Sequence, residues 1–502
     1  MNSSHRCRTA ALFASLLLIW FSGGGLLFGA EVAAPSLEQR VAQLEQAAKT
    51  ATAANSGDNA WMLVSSALVL MMTAPGLILF YGGLVRTKNV LSTMMHSLVL
   101  MALISALWMI FGYSMAFGEG NAFVGNPFQY FLLSGFSPDP DSHSLFGKLF
   151  SGGFKLFTSG VVRVGSEPDV DYAPTIPAQT FMLFQMMFAI IAPALISGAV
   201  AERIKFSAYI VFMLLWVTIV YLPLCHMVWG KGGLFNWALG GKIPVLDFAG
   251  GTVVHISSGV SALVCALVLG KRHGFPHAPM MPHNVVLSLI GTGLLWVGWF
   301  GFNAGSAVSA GGLATSAFAA THFSAAAAAL SWAGMEWWLK GRASVLGAAS
   351  GMVAGLATIT PASGFVNVPA AFGIGLTAGI VCYLAVTKLK ATFGYDDSLD
   401  VFGVHGVGSI TGMLMLGLLA NPNVNPAIAT TFQVNGAVVS LAGGPGQFLN
   451  QLIAVLFTAA LSGSATFVIL KVVDRVIGLR VDQEDESLGL DLSQHGERAY
   501  NE

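Results

Sequence analysis

Eleven apolar segments, each long enough to cross a bilayer as a helix, constrain the fold more than any other feature of this sequence. A helix needs about 20 largely apolar residues to span the hydrocarbon core, where its backbone must be satisfied internally. The segment limits are 60–84, 91–117, 178–200, 206–229, 249–270, 284–303, 312–339, 344–362, 366–388, 400–420 and 447–473. Only 9% of the residues are charged, against about 25% in a soluble domain. We predict an all-α polytopic membrane protein with about eleven transmembrane helices.

Basic residues follow the odd-numbered segments, and the connections after segments six, eight and ten carry none. The residues are Arg86, Lys88, Arg203, Lys205, Lys271, Arg272, Lys340, Arg342, Lys388 and Lys390. This alternation follows the positive-inside rule. It predicts a protein of the inner (plasma) membrane with the mature N-terminus outside and the C-terminus in the cytoplasm. Segments one to five and six to ten then run in opposite directions, which indicates inverted five-helix repeats plus a final helix.

The parts of the chain outside the apolar segments are predicted to be flanking and connecting regions. Arg6 and Arg8 precede a short apolar run, which is typical of a cleaved signal peptide, although an uncleaved extra helix is the alternative. The predicted divisions are a signal peptide at 1–34, a short external amphipathic segment at 35–58, a membrane domain at 59–478 with an external loop at 132–177, and a cytoplasmic tail at 479–502.

Two Asp–His pairs share one spacing. His255 follows Asp247 by eight residues, and His405 follows Asp397 by eight. Ionisable groups inside a membrane span mark functional sites by default, and the matched placement favours a paired-histidine site in a duplicated protein. If the rings meet, two neutral imidazoles can share one hydrogen bond. The alternative is two buried histidines bonded to backbone carbonyls.

Asp247 and Asp397 can each be interpreted as a structural or as a functional residue. A carboxylate at a helix start can accept hydrogen bonds from free N–H groups and interacts favourably with the helix dipole. We favour this capping role. Asp247, on the outer side, also has the charge to stabilise an incoming cation.

Aromatic residues cluster at the predicted outer ends of the spans. Phe188, Trp229 and Phe302 lie there with Ser306. Aromatic residues are common at membrane interfaces for packing reasons. Their shared position also suits a small cation, because aromatic faces attract cations and a hydroxyl accepts a hydrogen bond.

The sequence gives no support for several other classes of protein. The net charge of −1 gives no electrostatic case for nucleic acid. The four cysteines have no metal-ligand spacing, and the loop histidines His273, His277 and His283 lack thiol or carboxylate support for a metal. There is no nucleophile elbow and no Walker motif. We expect no enzyme, no metal and no cofactor.

Several motifs resemble the Amt/MEP/Rh ammonium transporter family, on its bacterial Amt branch. They are Phe80 to Asn89, Gly198 to Ile204, Asp247 to His255, Gly298 to Ser306, Asp400 to Gly406 and Gly489 to Tyr500. The resemblance covers about residues 58–500. It implies a homotrimer with one pore in each subunit. The long loop 132–177, together with the amphipathic segment before the first span, is the main departure from the family.

The resemblance also implies roles for the residues above. Trp229, Phe188 and Ser306 match an outer ammonium-binding site, and Phe188 and Phe302 match a stacked phenyl gate. His255 and His405 match the twin histidines of the pore, and Asp247 matches an aspartate needed for transport.

The implied function is ammonium transport, in which ammonium is deprotonated and ammonia crosses the pore. The expected partners are membrane lipid and a PII-type signalling protein at the cytoplasmic face. Two rival functions stay open: an ammonium sensor, or transceptor, that signals through its tail, and an intramembrane enzyme or haem protein that uses the histidines.

Overall fold

The computed structural model describes residues 54–134 and 168–500. Eleven apolar helices, α1 to α11, follow one another along this part of the chain. Their bounds are Ser56–Leu84, Thr87–Phe117, Ala178–Val200, Phe206–Trp229, Gly251–Leu269, Val285–Gly305, Gly312–Lys340, Val345–Ile359, Val368–Phe393, Phe402–Leu419 and Pro445–Val476. The predicted fold class is confirmed, and each end lies within five residues of its predicted position. The predicted signal peptide, the amphipathic segment before residue 54 and most of loop 132–177 lie outside the described residues.

The helices differ in length for reasons that composition does not reveal. Helix α8 has 15 residues, fewer than a straight span needs, and it is buried between neighbours along most of its length. Helix α11 has 32 residues. Helix α1 widens into a π-helical turn at Met72–Leu77, which contains Pro75. Proline has no N–H to continue the regular hydrogen-bond ladder, so a local widening is expected there.

The two halves of the fold repeat each other in their helix pairing. Helix α3 packs on α5, and α8 packs on α10 in the second half. Helices α4 and α9 each contain a π turn, at Val217–Tyr221 and Ala385–Leu389. Helices α5 and α10 each begin with one, at Gly251–Ile256 and Phe402–Gly406. Because π turns are rare and favour functional sites, their matched positions support the predicted duplication.

Two short hairpins lie at the same end of the bundle. Strands β1 (Pro168–Asp169) and β2 (Ala173–Pro177) form an antiparallel hairpin that leads into α3. Strands β3 (Gln433–Val434) and β4 (Ala437–Val438) form a second hairpin between α10 and α11. We call the end that carries Trp229 and the first hairpin the Trp229 face, and the opposite end the tail face.

Hydrogen bonds hold the chain after α11 against the tail face. A short helix, α12 (Gln483–Leu488), presents two backbone carbonyls to Lys88 Nζ, at 2.9 and 2.6 Å. The Glu486 side chain pairs with Arg480 at 2.7 Å. The Asp491 carboxylate accepts a hydrogen bond from the Ser92 N–H at 2.8 Å, in the first turn of α2.

A buried charge network joins four connections of the tail face. Glu202 pairs with Arg86 at 2.9 Å and with Arg272 at 3.0 Å. Arg272 also pairs with Asp396 at 2.8 Å. Burial alone would raise the pKa of Glu202, but the two guanidinium groups outweigh burial and hold that pKa below its ordinary value. The network therefore favours the folded state, and its contribution from Glu202 is lost as the pH falls through the lowered pKa.

We expect Glu202→Gln to destabilise the protein by about 3 kcal/mol, because removing one partner of a buried pair leaves an uncompensated charge. The measurement is the midpoint of thermal unfolding in detergent. Lys340→Gln is the matched control, since Lys340 is 53% exposed where it pairs with Glu336 at 3.4 Å, and its loss should change stability by less than about 1 kcal/mol. Equal shifts in the two variants would contradict the role given to Glu202.

Candidate functional site

A cavity of about 210 Å³ opens at the Trp229 face. We call it the Trp229 vestibule. Its lining includes Asp171, Tyr172, Gln185, Phe188, Trp229 and Ser306. Three of the four predicted substrate-binding residues are among them: Phe188 from the middle of α3, Trp229 at the end of α4 and Ser306 directly after α6. These three residues are therefore placed together around one opening.

Two hydrogen bonds orient the polar edges of the vestibule. The Trp229 indole N–H donates to the backbone carbonyl of Asp247 at 3.0 Å, which fixes the ring at the end of α4. The Ser306 hydroxyl donates to the Phe302 carbonyl at 2.8 Å. Since its hydrogen is used in this way, the Ser306 oxygen can only accept a hydrogen bond from anything in the vestibule.

Two phenyl rings close the floor of the Trp229 vestibule. The ring centroids of Phe188 and Phe302 lie 4.3 Å apart, and both residues are fully buried. The Trp229 ring meets Phe188 edge to face, with centroids 5.9 Å apart. The structure brings the two predicted gate residues into direct contact.

The two histidines lie directly beyond the gate. His255 is 5.8 Å from Phe302 between ring centroids, and His405 is 5.2 Å from His255 with the rings 11° from parallel. Each histidine lies in the first π turn of its helix, and these turns touch each other. A Cβ on Gly259 would collide with the backbone of Gly406, so glycine permits this close approach.

Among the described residues no hydrogen bond joins the two histidines, and the predicted sharing of one bond stays a prediction. Within the described residues, neither ring nitrogen of His255 has a partner, and Nδ1 of His405 has none. The alternative, in which backbone carbonyls satisfy the two rings, is not realised for these three nitrogens either.

The Asp247 carboxylate is a complete helix cap. It accepts hydrogen bonds from the N–H groups of Gly250, Gly251 and Thr252 and from the Thr252 hydroxyl, at 2.5 to 2.8 Å. The side chain is buried and does not line the Trp229 vestibule. An effect of Asp247 on a cation in that vestibule therefore acts through the field of its charge, and its place among the substrate-binding residues stays a prediction.

Asp397 caps its helix less completely than Asp247. One carboxylate oxygen accepts a hydrogen bond from the Phe402 N–H at 2.7 Å, and the other has no partner among the described residues. Burial raises the pKa of Asp397 to about 6. The two aspartates are thus equivalent in sequence and position but not in hydrogen bonding.

A second cavity, of about 320 Å³, opens at the tail face. His405 lines it, together with Tyr81, Lys390 and Asp400. Lys390 and Asp400 form an ion pair at 2.6 Å at its rim. The tail vestibule, as we call this cavity, thus reaches one histidine, and the rings of Phe188, Phe302 and His255 lie between it and the Trp229 vestibule.

Sequence reasoning missed some residues that shape this path. The Trp299 ring stacks on His255 at 5.4 Å and 15°, and its N–H donates to the Thr360 hydroxyl at 2.9 Å. Its position one helical turn before Phe302 was a usable signal. Asp171, Tyr172 and Gln185 gave no comparable signal. In the described part of the chain, no three His, Cys, Asp or Glu side chains come together as metal ligands.

Two vestibules joined by a closed, mostly apolar path define a membrane transport protein for a small solute. The Ammonium Transporter Family model matches residues 60–500. The ammonium transporter of Mycobacterium tuberculosis is 45% identical over 460 residues, which cover 89% of this chain and 91% of that protein. The chain belongs to the ammonium transporter family, as its motifs predicted, and it functions as an ammonium transporter.

Solved structures agree with the family. Mep2 of Candida albicans superposes with a TM-score of 0.72 at 32% sequence identity, and the match covers 89% of this chain and 90% of that one. A structure described as a sensor Amt protein gives the same TM-score of 0.72 at 26% identity, over 88% of this chain and 98% of the other.

Proposed function

We propose that this protein captures ammonium in the Trp229 vestibule, removes one proton and passes ammonia to the tail vestibule along the two histidines. The observation that carries this proposal is an unbroken row of rings between the two cavities. The row runs through Trp229, Phe188, Phe302, His255 and His405, with neighbouring centroids 4.3 to 5.9 Å apart.

Capture rests on three groups in the vestibule. The faces of Trp229 and Phe188 attract a cation through their ring electrons. The Ser306 oxygen, whose own hydrogen is committed to Phe302, accepts a hydrogen bond from ammonium. A hydroxyl oxygen held in this way only accepts hydrogen bonds. It therefore suits ammonium, which only donates hydrogen bonds, better than water, which both donates and accepts them.

Asp247 acts on the cation indirectly. Its carboxylate holds the start of α5, and its backbone carbonyl holds the Trp229 indole. The capping hydrogen bonds thus position both the recognition ring and the helix that carries His255. Its buried negative charge adds a favourable field for a cation nearby.

Selectivity follows from deprotonation at the gate. Taking a bare monovalent cation into an apolar path has an idealised Born cost of order 20 kcal/mol. Ammonium avoids this cost by losing a proton, because its aqueous pKa lies roughly two units above neutral and deprotonation therefore costs about 3 kcal/mol. Potassium, of similar size and equal charge, has no proton to lose.

Conduction rests on the unpartnered ring nitrogens of His255 and His405. A buried polar atom without a partner is unfavourable, and ammonia, which both donates and accepts, can satisfy these nitrogens in turn. The rest of the path is apolar, which suits a neutral solute and excludes ions. We propose that net charge accompanies each transported nitrogen, carried as a proton.

The orientation and partners belong to the same proposal. The Trp229 face lies outside the cell and the tail face lies in the cytoplasm, because the basic residues after the odd-numbered spans lie at the tail face. The protein forms a homotrimer in the plasma membrane. A PII-type protein binds the tail face, where residues 480–500 lie.

An ammonium sensor is the second candidate function. Its support is the structural likeness to the sensor Amt protein, together with a tail that contacts α2 and the connection after α5. A sensor would bind ammonium in the same vestibule without a sustained flux. Transport measurements therefore separate the two functions.

An ammonium concentration jump across proteoliposomes tests the proposed function. We expect an inward current with ammonium and none with an equal jump of potassium. Liposomes without the protein are the control for passive ammonia diffusion. Rapid internal alkalinisation without current would mean conduction of ammonia alone, and the absence of both signals would favour the sensor.

A further inference from the structure

The hairpin of β1 and β2 places a turn over the mouth of the Trp229 vestibule. Tyr172 in this turn donates its hydroxyl hydrogen to the Phe117 carbonyl at 3.1 Å and accepts a hydrogen bond from the Lys231 N–H at 2.9 Å. Its ring stacks on Phe181 at 5.4 Å and 6°. These contacts fix the neighbouring residue, Asp171, at the rim of the cavity.

Asp171 already binds an ammonium group. Its Oδ2 atom lies 2.9 Å from the Nζ atom of Lys231, and a lysine head group is a substituted ammonium ion. The aspartate side chain is 22% exposed and the lysine side chain 51% exposed, so the carboxylate lies deeper than its partner. Among the described residues that line the vestibule, Asp171 alone carries a full charge.

Gln185 offers a second polar group farther down the same vestibule. It lies one helical turn before Phe188 in α3, between the gate and the mouth, and only 8% of the residue is exposed. Its amide oxygen has no hydrogen-bond partner among the described residues. A buried acceptor that lines a cavity and has no partner points to a ligand that donates hydrogen bonds.

We propose that Asp171 and Gln185 form an outer cation station, at which an incoming ammonium ion displaces the Lys231 head group before it reaches Trp229. The station takes small monovalent cations that carry N–H donors. An ion pair exposed to this degree is weak and screened by salt, so free ammonium can compete with the tethered lysine. The station rests on the proposed transport of ammonium and extends that path to the mouth of the vestibule.

The test compares KM and kcat for ammonium-driven current in proteoliposomes at low ionic strength. Asp171→Asn should raise KM about threefold or more with kcat unchanged, and added salt should shrink the difference. Lys231→Gln should lower KM, because it removes the competing cation. Gln185→Leu should raise KM at every salt concentration. Glu119→Gln and Lys242→Gln are the charge-matched controls, since both residues are exposed and neither lines the vestibule.

The two variants of the ion pair make the test specific. Asp171→Asn and Lys231→Gln break the same contact, so a merely structural pair would shift KM in the same direction in both variants and would overturn the station. A KM for Asp171→Asn equal to that of Glu119→Gln would also overturn it. A wild-type protein without ammonium current would instead overturn the proposed function, so the two failures are distinguishable.

Discussion

Replacing both pore histidines, as His255→Ala/His405→Ala, is expected to abolish selective ammonium transport. The histidines supply the polar atoms between the gate and the tail vestibule, and three of their four ring nitrogens have no hydrogen-bond partner in the described structure. Losing two hydrogen bonds to ammonia, each worth about 1–1.5 kcal/mol, should lower the ammonium flux about 100-fold. The removed ring volume also leaves room for water, so a potassium current should replace the selective one.

His96→Ala is the matched control for this variant. His96 is fully buried, and neither of its ring nitrogens has a partner among the described residues, yet it lines neither vestibule. Ammonium current and potassium current in proteoliposomes are the two readouts. A double variant that keeps both the wild-type flux and the exclusion of potassium would contradict the pore role of the histidines.

Trp229→Leu should raise the KM for ammonium about tenfold with a smaller effect on kcat. A cation over an aromatic face in a partly desolvated site gains about 1–2 kcal/mol, and 1.4 kcal/mol corresponds to a factor of ten in affinity. Leucine keeps an apolar wall but has no ring electrons and no N–H for the Asp247 carbonyl. The measurement is the concentration dependence of ammonium current.

Trp237→Leu is the control for the tryptophan. Trp237 lines the same vestibule, but its ring packs against Phe365 at 6.0 Å instead of against the gate. Its KM should stay near that of the wild type. Equal KM shifts in both variants would mean that general packing of the vestibule, and not a cation–π contact at Trp229, sets the affinity.

The helices could be predicted from the sequence because one physical rule dominates in a bilayer. Backbone N–H and C=O groups cannot be left without hydrogen bonds in lipid. Long apolar segments such as Val285–Gly305 must therefore be helical. The site residues could be found because ionisable and aromatic groups in such segments stand out, and because two Asp–His spacings match. The length of the apolar segments was sufficient for the helices, whereas the roles of the site residues came from the resemblance to the family.

The finer geometry depends on tertiary packing that a linear pattern does not contain. The stacking of His255 on His405 follows from the contact between two π turns and from the glycine at 259. The saturation of the Asp247 carboxylate and the half-capped state of Asp397 depend on local backbone geometry. Asp171 belongs to an irregular connection, where neither periodicity nor span length constrains the fold.

The most direct test of the account is the uptake of labelled ammonium and of a potassium tracer into the same proteoliposomes. The account predicts that ammonium enters while potassium stays outside, and that external potassium raises the KM for ammonium by competing in the Trp229 vestibule. Potassium that binds in the vestibule but does not cross would show that deprotonation at the gate, and not binding, selects ammonium. Potassium that enters together with ammonium would show that intact cations cross the pore, and it would contradict the account.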